Sequence, residues 1–544
     1  MQLRSALAML SSSATKPLSA LLATLSLLAL TACGGGSSGT GSIVGGSNSN
    51  GGGTYVPGTF QPSANFEAKC TTPRTGNDPF NNNQPFPDTQ GSVTSENNWL
   101  RSWTNETYLW FDEVADQNPA LFTTPAYFLL QVTTAKTATG ANKDRFHFSR
   151  DTAEWNQLSQ SGIEAGYGLQ WFLAASRPPR EIRVAYVDPG SAAATAGLNR
   201  GDLVLSVDGV DAVNNDTSAG VDSLNAGLFP ENASESHSFN LQRLDSSTYT
   251  VTLQSSSVTS APVRNVKAIA TAAGPVGYMQ FNDHIATAES ALIAAINNLK
   301  AQSVTDLVLD IRYNGGGYLD IASELAFMIA GPTRTTGQTF ERLTFNSKNP
   351  TTNPVTGGAI TPTPFLTTAQ GFSTANGTPL PTLNLNRVFV LAGSSTCSAS
   401  EAIINGLRGV DVQVILIGGT TCGKPYGFYP ADNCGTTYFS IQFKGVNAKD
   451  FGEYSDGFTP QNQVAVGGAL IDGCSVKDDF THALGDPLEA RLAAALGYRS
   501  GAGTCPTAPT GPVVFGKTRQ DPAAFEGYAP KSPWRENRIM RKPN

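Results

Sequence analysis

The chain has 544 residues, a net charge of −7 and 15% charged residues, and 40% of its residues are hydrophobic. This length predicts several domains, and the hydrophobic content is sufficient for a sizeable core. The acidic balance, without any basic stripe, argues against nucleic acid as a partner.

The first 33 residues have the features of an export signal. Basic residues precede an apolar run over 18–30 that is too short to span a bilayer as a helix. Small residues lead to Cys33, and a Gly/Ser-rich flexible tether over 34–60 follows. The pattern resembles a bacterial lipoprotein signal, which implies a lipid anchor on Cys33 and sorting to the outer membrane, facing the periplasm or the cell surface. The alternative is an ordinary cleaved secretory peptide.

Six cysteines remain once Cys33 is set aside. An even number in an exported chain predicts disulfide bonds, and the sequence leaves their connectivity open. We expect Cys422 to pair with Cys434, because only a short loop separates them. No cysteine spacing matches a zinc site and the four histidines are scattered, so we predict neither a metal nor another cofactor.

Residues 61–158 are predicted to form a small helical domain. Apolar and aromatic residues recur at helical spacing over 98–111, and the segment Pro125–Ala135 predicts a second helix. We expect the aromatic side chains to form a core rather than a ligand site.

Residues 159–260 predict a mainly β-structured domain. Alternating apolar residues indicate a strand over 182–187 and a hairpin over 239–253. The order of these elements resembles a PDZ domain, in which loop N–H groups hold a peptide C-terminus while the peptide adds a strand to the sheet. A groove that does not bind peptide is the alternative, since the loop departs from the usual Gly-Leu-Gly-Phe pattern. The corresponding loop here consists of Gly166, Tyr167, Gly168 and Leu169.

Residues 261–500 alternate predicted strands and helices, which indicates an α/β core. Apolar runs typical of buried strands precede a glycine turn, a helix start and a lysine-containing loop. A long insertion over 331–384 is rich in Thr, Pro and Gly, and such segments are often functional or mobile. The three apolar runs are 307–312, 387–393 and 412–418.

Ser398 and Lys424 carry the strongest chemical signal in the chain. Ser398 falls in the first turn of the predicted helix 398–407, where free N–H groups stabilise a developing anion. Lys424 follows a buried strand and has no adjacent carboxylate in sequence, so desolvation is expected to lower its pKa. A neutral amine beside a hydroxyl forms a nucleophile with its base.

Such a pair also needs donors for an oxyanion. The N–H of Ala399 at the helix start supplies one, and Gly316 or Gly317 in the glycine turn supplies the other. A surface lysine or a serine helix cap is common by itself, so the prediction depends on the combination.

Three motifs, Leu309–Gly317, Ser398–Glu401 and Gly423–Lys424, resemble those of the C-terminal processing (tail-specific) serine peptidases. The resemblance covers about residues 97–500. It implies a multidomain α+β chain with a small helical N-terminal domain, a PDZ-like β domain and an α/β (crotonase/Clp-protease-like) peptidase core. It also implies that Ser398 and Lys424 hydrolyse unfolded or C-terminally exposed proteins through an acyl-enzyme.

One position departs from the family pattern. Many members carry Gln or Glu four residues after the lysine to orient it, and this chain has Phe428 there. Gln442 and Glu401 are candidate substitutes, although Glu401 could equally stabilise the first turn of its helix. A Ser/His triad through His482 is disfavoured, because the lysine occupies the motif position.

Two other functions remain open from the sequence. A catalytically impaired PDZ-containing envelope scaffold is the main alternative, and a hydrolase of non-peptide esters or amides is a third. Residues 501–544 predict a poorly ordered extension rich in Pro and Gly and basic towards its end. A self-processing site or a groove-occupying segment is the alternative for this extension.

Overall fold

We describe a computed structural model of the protein, in which the chain divides into two compact units, residues 1–49 and 50–544. The predicted signal, Cys33 and most of the predicted tether lie outside the described residues, and all described residues belong to the second unit. No helix in the described part of the chain is both long and apolar enough to cross a membrane. The described residues are 55–137, 140, 142–175, 177–463, 468–501, 504–509 and 538–540.

Two helices, α1 (Val93–Thr107) and α2 (Thr124–Leu130), lie near the start of the described region. Ser92 caps α1 by accepting a hydrogen bond from the Ser95 N–H. The sequence predicted that the second helix continues to Ala135, but it ends at Leu130. The β-branched residues at 132–134 explain the earlier end, because they have low helix propensity.

The aromatic side chains of α1 are buried, as predicted, but they do not form a separate core. Trp99 and Trp103 stack with ring centroids 5.2 Å apart. Both rings contact Tyr438, which lies far along the chain. The N-terminal region therefore packs directly on the C-terminal half of the protein.

The PDZ-like region forms a twisted antiparallel sheet with one long helix against it. The predicted hairpin over 239–253 is confirmed by the pairing of its last two strands. The first strand, which follows the predicted peptide-binding loop, lies at the edge of the main strand order. In sequence the elements are β1 (Leu169–Ala175), β2 (Glu181–Val187), β3 (Leu203–Val207), α3 (Ser218–Leu228), β4 (Ser236–Gln242) and β5 (Thr248–Gln254), and the sheet order is β5-β4-β3-β2-β1.

The second large sheet has six strands in the order β6-β7-β8-β9-β10-β11. The first pair is antiparallel and the remaining four pairs are parallel. The central strands are buried on both faces, which accounts for their continuous apolar runs. The elements are β6 (Val263–Ile269), β7 (Val276–Phe281), α4 (Ala288–Ala301), β8 (Asp306–Asp310), α5 (Leu319–Ala330), β9 (Arg387–Ala392), α6 (Ala399–Gly409), β10 (Gln413–Gly418), β11 (Gly473–Ser475) and α7 (Ala490–Ser500).

Helices cover both faces of this sheet. One face packs against α4, α5 and α6 in the largest apolar cluster, and the other packs against α7. Shorter strands extend the structure around the sheet: Phe148–Asp151, Ile163–Gly166, Ser256–Thr259, Gly317–Tyr318, Thr339–Thr344, Tyr426–Gly427, Ala431–Asn433, Thr436–Phe439, Phe443–Val446, Phe458–Pro460, Ala469–Ile471 and Arg538–Ile539.

The insertion over 331–384 is held to the core by a buried carboxylate. Glu289 on α4 accepts hydrogen bonds from four main-chain N–H groups, at 2.7–3.1 Å. Glu324 on α5 accepts a further one from Gln370. Burial and the neighbouring Glu289 raise the pKa of Glu324 to about 9, so Glu324 is protonated at neutral pH. The four main-chain N–H groups that bind Glu289 belong to Gln370, Gly371, Ser373 and Thr374.

The six cysteines of the described region form three disulfides, as their even number predicted. The expected Cys422–Cys434 pair is wrong. Cys434, which follows a short strand of a hairpin, forms a disulfide with Cys70. Cys422 forms a disulfide with Cys397 in the turn before α6, and the Cys422 N–H donates a hydrogen bond to Thr396 O in the same turn. The third disulfide joins Cys474 to Cys505.

Candidate active site

Three loops meet at the carboxyl edge of the parallel strands, where open α/β sheets bind their ligands. The glycine turn follows β8, the start of α6 follows β9, and the Lys424 loop follows β10. These are adjacent strands, so the fold places the glycine turn, Ser398 and Lys424 side by side, in agreement with the spacing argument from sequence.

Ser398 immediately precedes α6 and is fully buried. Its φ of 61° and ψ of −111° are unusual for a residue other than glycine, and such conformations cluster at functional sites. Its Oγ finds no hydrogen-bond partner among the described residues. The next residue, Ala399, is the first of the helix, where the N–H has no acceptor within the helix.

Glu401, one turn into α6, connects Ser398 to the Lys424 loop. Its Oε2 accepts hydrogen bonds from the N–H groups of Ser398, at 3.0 Å, and Lys424, at 2.8 Å. Its Oε1 accepts from the Gly423 N–H, at 2.8 Å, and from the Thr421 hydroxyl. Burial raises the pKa of Glu401, while these donors oppose the rise. The carboxylate therefore positions the backbone of both predicted catalytic residues, which is more than a helix-dipole role.

Asn314 joins the glycine turn to the start of α6. Its main-chain carbonyl accepts hydrogen bonds from the Cys397 N–H and the Ser400 hydroxyl, both at 3.1 Å. Its side-chain Oδ1 accepts from the Gly316 N–H, at 2.9 Å, and contacts His284 Nδ1 at 3.0 Å. The Gly316 N–H is thus already engaged, which leaves Gly317 as the better oxyanion donor of the two predicted glycines.

Gly317 could not carry a side chain. Its φ is +136°, and a Cβ there would lie 2.5 Å from His284 O. His284 packs beneath the turn, and its N–H donates to Gly316 O. Burial lowers the pKa of His284 to about 3, so its ring stays neutral.

Lys424 is fully buried, and its Nζ lies 4.6 Å from the ring centroids of both Phe146 and Phe428. Phe428 therefore contacts the amine directly at the position where a polar orienting residue was expected. Burial disfavours the charged ammonium, whereas the two ring faces favour it.

The remaining candidate residues have separate environments. Gln442 is buried, and its Oε1 accepts a hydrogen bond from the Tyr429 N–H, which fixes the chain immediately after Phe428. His482 contacts Asp479 at 2.7 Å, and its carbonyl accepts a hydrogen bond from Arg200 of the PDZ-like region. His482 is thus part of an interface between regions, consistent with its rejection as a triad member.

Sequence reasoning missed three supports of this site. Asn314 and His284 hold the glycine turn, and the Cys397–Cys422 bond, called here the active-site disulfide, joins the residue before Ser398 to the Lys424 loop. The Asn-Gly-Gly-Gly sequence was a signal for Asn314, but no pattern indicated the others. The two sulfurs lie beside Glu401 at a spacing that could suit a metal ion, but a disulfide offers no thiolate ligand.

The predicted peptide-binding loop of the PDZ-like region lines a concave pocket. The end of α3 and two arginines, Arg150 and Arg264, also line it. Tyr167 turns its ring inward, and its hydroxyl donates to Gly227 O at 2.8 Å. The pocket also holds two carboxylates, Glu164 and Asp188, and Asp188 is paired with Arg264. It thus combines the edge of β1 with a loop of the kind that holds an extended peptide by its main chain.

Comparisons with known proteins match these two regions. A family model described as peptidase family S41 matches residues 275–428, which include the glycine turn, Ser398 and Lys424. A PDZ domain model matches residues 183–220.

The two matches fall on the parallel sheet with the candidate site and on the PDZ-like sheet, so each region is similar to the family named.

A carboxyl-terminal-processing protease from Picosynechococcus sp. is 28% identical to this chain over 182 residues, which make up 31% of this chain. The match spans only 39% of that relative's length. The crystal structure of a protein from Bacteroides fragilis, described as an S41 protease, has 21% sequence identity to this chain and superimposes on it with a TM-score of 0.52. It aligns over 74% of this chain and 97% of its own, and it supports the multidomain α+β fold predicted from sequence.

Proposed function

We propose that this chain is a serine endopeptidase that cleaves unfolded or C-terminally exposed proteins. The observation that carries the proposal is the Glu401 carboxylate, which binds the backbones of Ser398 and Lys424 at once. The matched S41 domain and the name of the Picosynechococcus relative support the same reaction class.

In the proposed mechanism the Lys424 amine takes the Ser398 hydroxyl proton as Oγ attacks the peptide carbonyl. The N–H groups of Ala399 and Gly317 stabilise the oxyanion. The protonated amine then donates its proton to the leaving nitrogen, and the acyl-enzyme forms. Lys424 next activates a water that releases the product acid and regenerates Ser398. In the proposed step the hydroxyl and the amine come within hydrogen-bond reach of each other.

The PDZ pocket is the proposed capture site for the substrate's C-terminal segment. Main-chain pairing with the edge of β1 would hold an extended peptide, and N–H groups of the loop 166–169 would bind its carboxylate. A lipid anchor on Cys33 would place these reactions at the cell envelope, as the signal-like sequence predicts, in the outer membrane if the source is Gram-negative.

Digestion of a fluorescently labelled unfolded protein tests the catalytic assignment. We expect Ser398→Ala and Lys424→Met each to lower the rate by about 1,000-fold or more. Lys300→Met removes an exposed lysine on α4 and is the matched control, with an unchanged rate. A Ser398→Ala protein as active as wild type would contradict the assignment.

A catalytically impaired scaffold is the second candidate, because Phe428 contacts the lysine where a polar residue would orient it. Absence of digestion by wild type, together with peptide binding at the PDZ pocket, would favour this candidate.

A further inference from the structure

Residues 538–540 form a short segment that lies in the candidate active site. The strand Arg538–Ile539 pairs in parallel with Gly317–Tyr318, with Gly317 opposite Arg538 and Tyr318 opposite Ile539. On the other side of the segment, the Met540 N–H donates a hydrogen bond to Phe428 O at 3.1 Å. The segment therefore lies between the glycine turn and the chain that follows Lys424.

Both edges of this position belong to the proposed catalytic machinery. Gly317 is a proposed oxyanion donor, and the Phe428 ring contacts the Lys424 amine. Parallel strand pairing uses main-chain N–H and C=O groups of both partners. A segment paired at Gly317 therefore occupies backbone groups that an extended substrate would need.

We propose that Gly317, Tyr318 and Phe428 form a binding site for one extended peptide strand, and that residues 538–540 of the same chain occupy it until substrate displaces them. The inference rests on the proposed peptidase function, since it identifies the occupant that a substrate must replace. Main-chain contacts would make the site tolerant of sequence. Met540 is partly buried against the main apolar cluster, so the site favours an apolar residue at that position.

The segment 538–540 and a substrate compete for the same strand site, and the covalent connection to the protein favours the segment. A segment of the same chain competes at a local concentration that does not depend on dilution, so only substrates that bind well or are captured at the PDZ pocket displace it.

A matched pair of substitutions at Met540 tests the self-occupancy. Met540→Pro removes the N–H that binds Phe428 O, whereas Met540→Leu keeps the N–H and an apolar side chain. We expect Met540→Pro to raise kcat/KM for an unfolded protein about fivefold, as loss of one hydrogen bond allows, and Met540→Leu to stay within about twofold of wild type. Equal kcat/KM values for Met540→Pro, Met540→Leu and wild type would overturn the proposal.

A binding measurement separates this proposal from the peptidase assignment. In the Ser398→Ala background, fluorescence anisotropy would follow a labelled peptide with the sequence of residues 536–542. We expect the peptide to bind a chain that ends at Asn537 at least about tenfold more tightly than a chain that ends at Met540. Thermal unfolding of both chains checks that they fold. Equal affinities, or no binding by either chain, would overturn self-occupancy even if digestion is normal. Binding as expected without digestion by any active-site-intact variant would instead refute the peptidase function and leave the strand site standing.

Discussion

Replacing Glu401 with Gln tests the positioning of the two catalytic loops. Each Glu401 oxygen accepts two hydrogen bonds, and Gln keeps only one oxygen, so two of the four donors would face an amide NH₂. A hydrogen bond to a charged group contributes about 1.5–3 kcal/mol, so the loss is about 3–6 kcal/mol before any relaxation. If the amide oxygen stays towards the Ser398 and Lys424 N–H groups, its NH₂ faces Gly423 and Thr421. Either orientation therefore weakens the link between α6 and the Lys424 loop.

The assay for Glu401→Gln compares kcat, KM and the thermal unfolding midpoint with wild type. We expect kcat to fall about 100-fold or more, KM to change little and the unfolding midpoint to drop. Glu453→Gln is the control, because that carboxylate is 80% exposed and its loss should change stability by no more than about 0.5 kcal/mol. Wild-type kcat in Glu401→Gln would refute the positioning role.

Three further outcomes follow from the site and its supports. Replacing both cysteines of the active-site disulfide with alanine should abolish most activity, because the bond joins the two catalytic loops, whereas the same change at Cys474–Cys505 should spare kcat in the digestion assay. Gly317→Ala should lower kcat at least about tenfold and lower the unfolding midpoint, because its Cβ would collide with a carbonyl oxygen. The raised pKa of Glu324, about 9, means that the folded state holds a proton that the unfolded state releases above about pH 4.5. The stabilisation that this proton gives to the folded state is complete below about pH 4.5 and is lost as pH rises towards 9. Denaturant titrations should therefore show the free energy of unfolding of Glu324→Gln rising, relative to that of wild type, by up to about 1.4 kcal/mol per pH unit between these two values.

Local sequence patterns predicted the elements that deliver the site. The strand Arg387–Ala392 matches its apolar run, and the helix that follows Ser398 begins within one residue of expectation. Buried parallel strands require continuous apolar residues, and glycine turns mark their ends, so this information is local in the chain.

Features that depend on distant contacts could not be predicted. The disulfide partners Cys70 and Cys434 are 364 residues apart, and nothing short of the fold brings them together. Glu401 had two interpretations until its contacts with the Lys424 loop were known. The extension after residue 500 was predicted to be poorly ordered, but residues 538–540 pair with Gly317–Tyr318, a contact between segments far apart in the chain.

The central claim is that Ser398 acts as a nucleophile with Lys424 as its base. Mass spectrometry of the protein after reaction with a fluorophosphonate probe tests it most directly, and the chain ending at Asn537 gives the probe the best access. The account predicts a single adduct on Ser398, formed at a rate that Lys424→Met lowers strongly and Lys300→Met leaves unchanged. An adduct on another residue, or one on Ser398 that forms equally fast without Lys424, would contradict it.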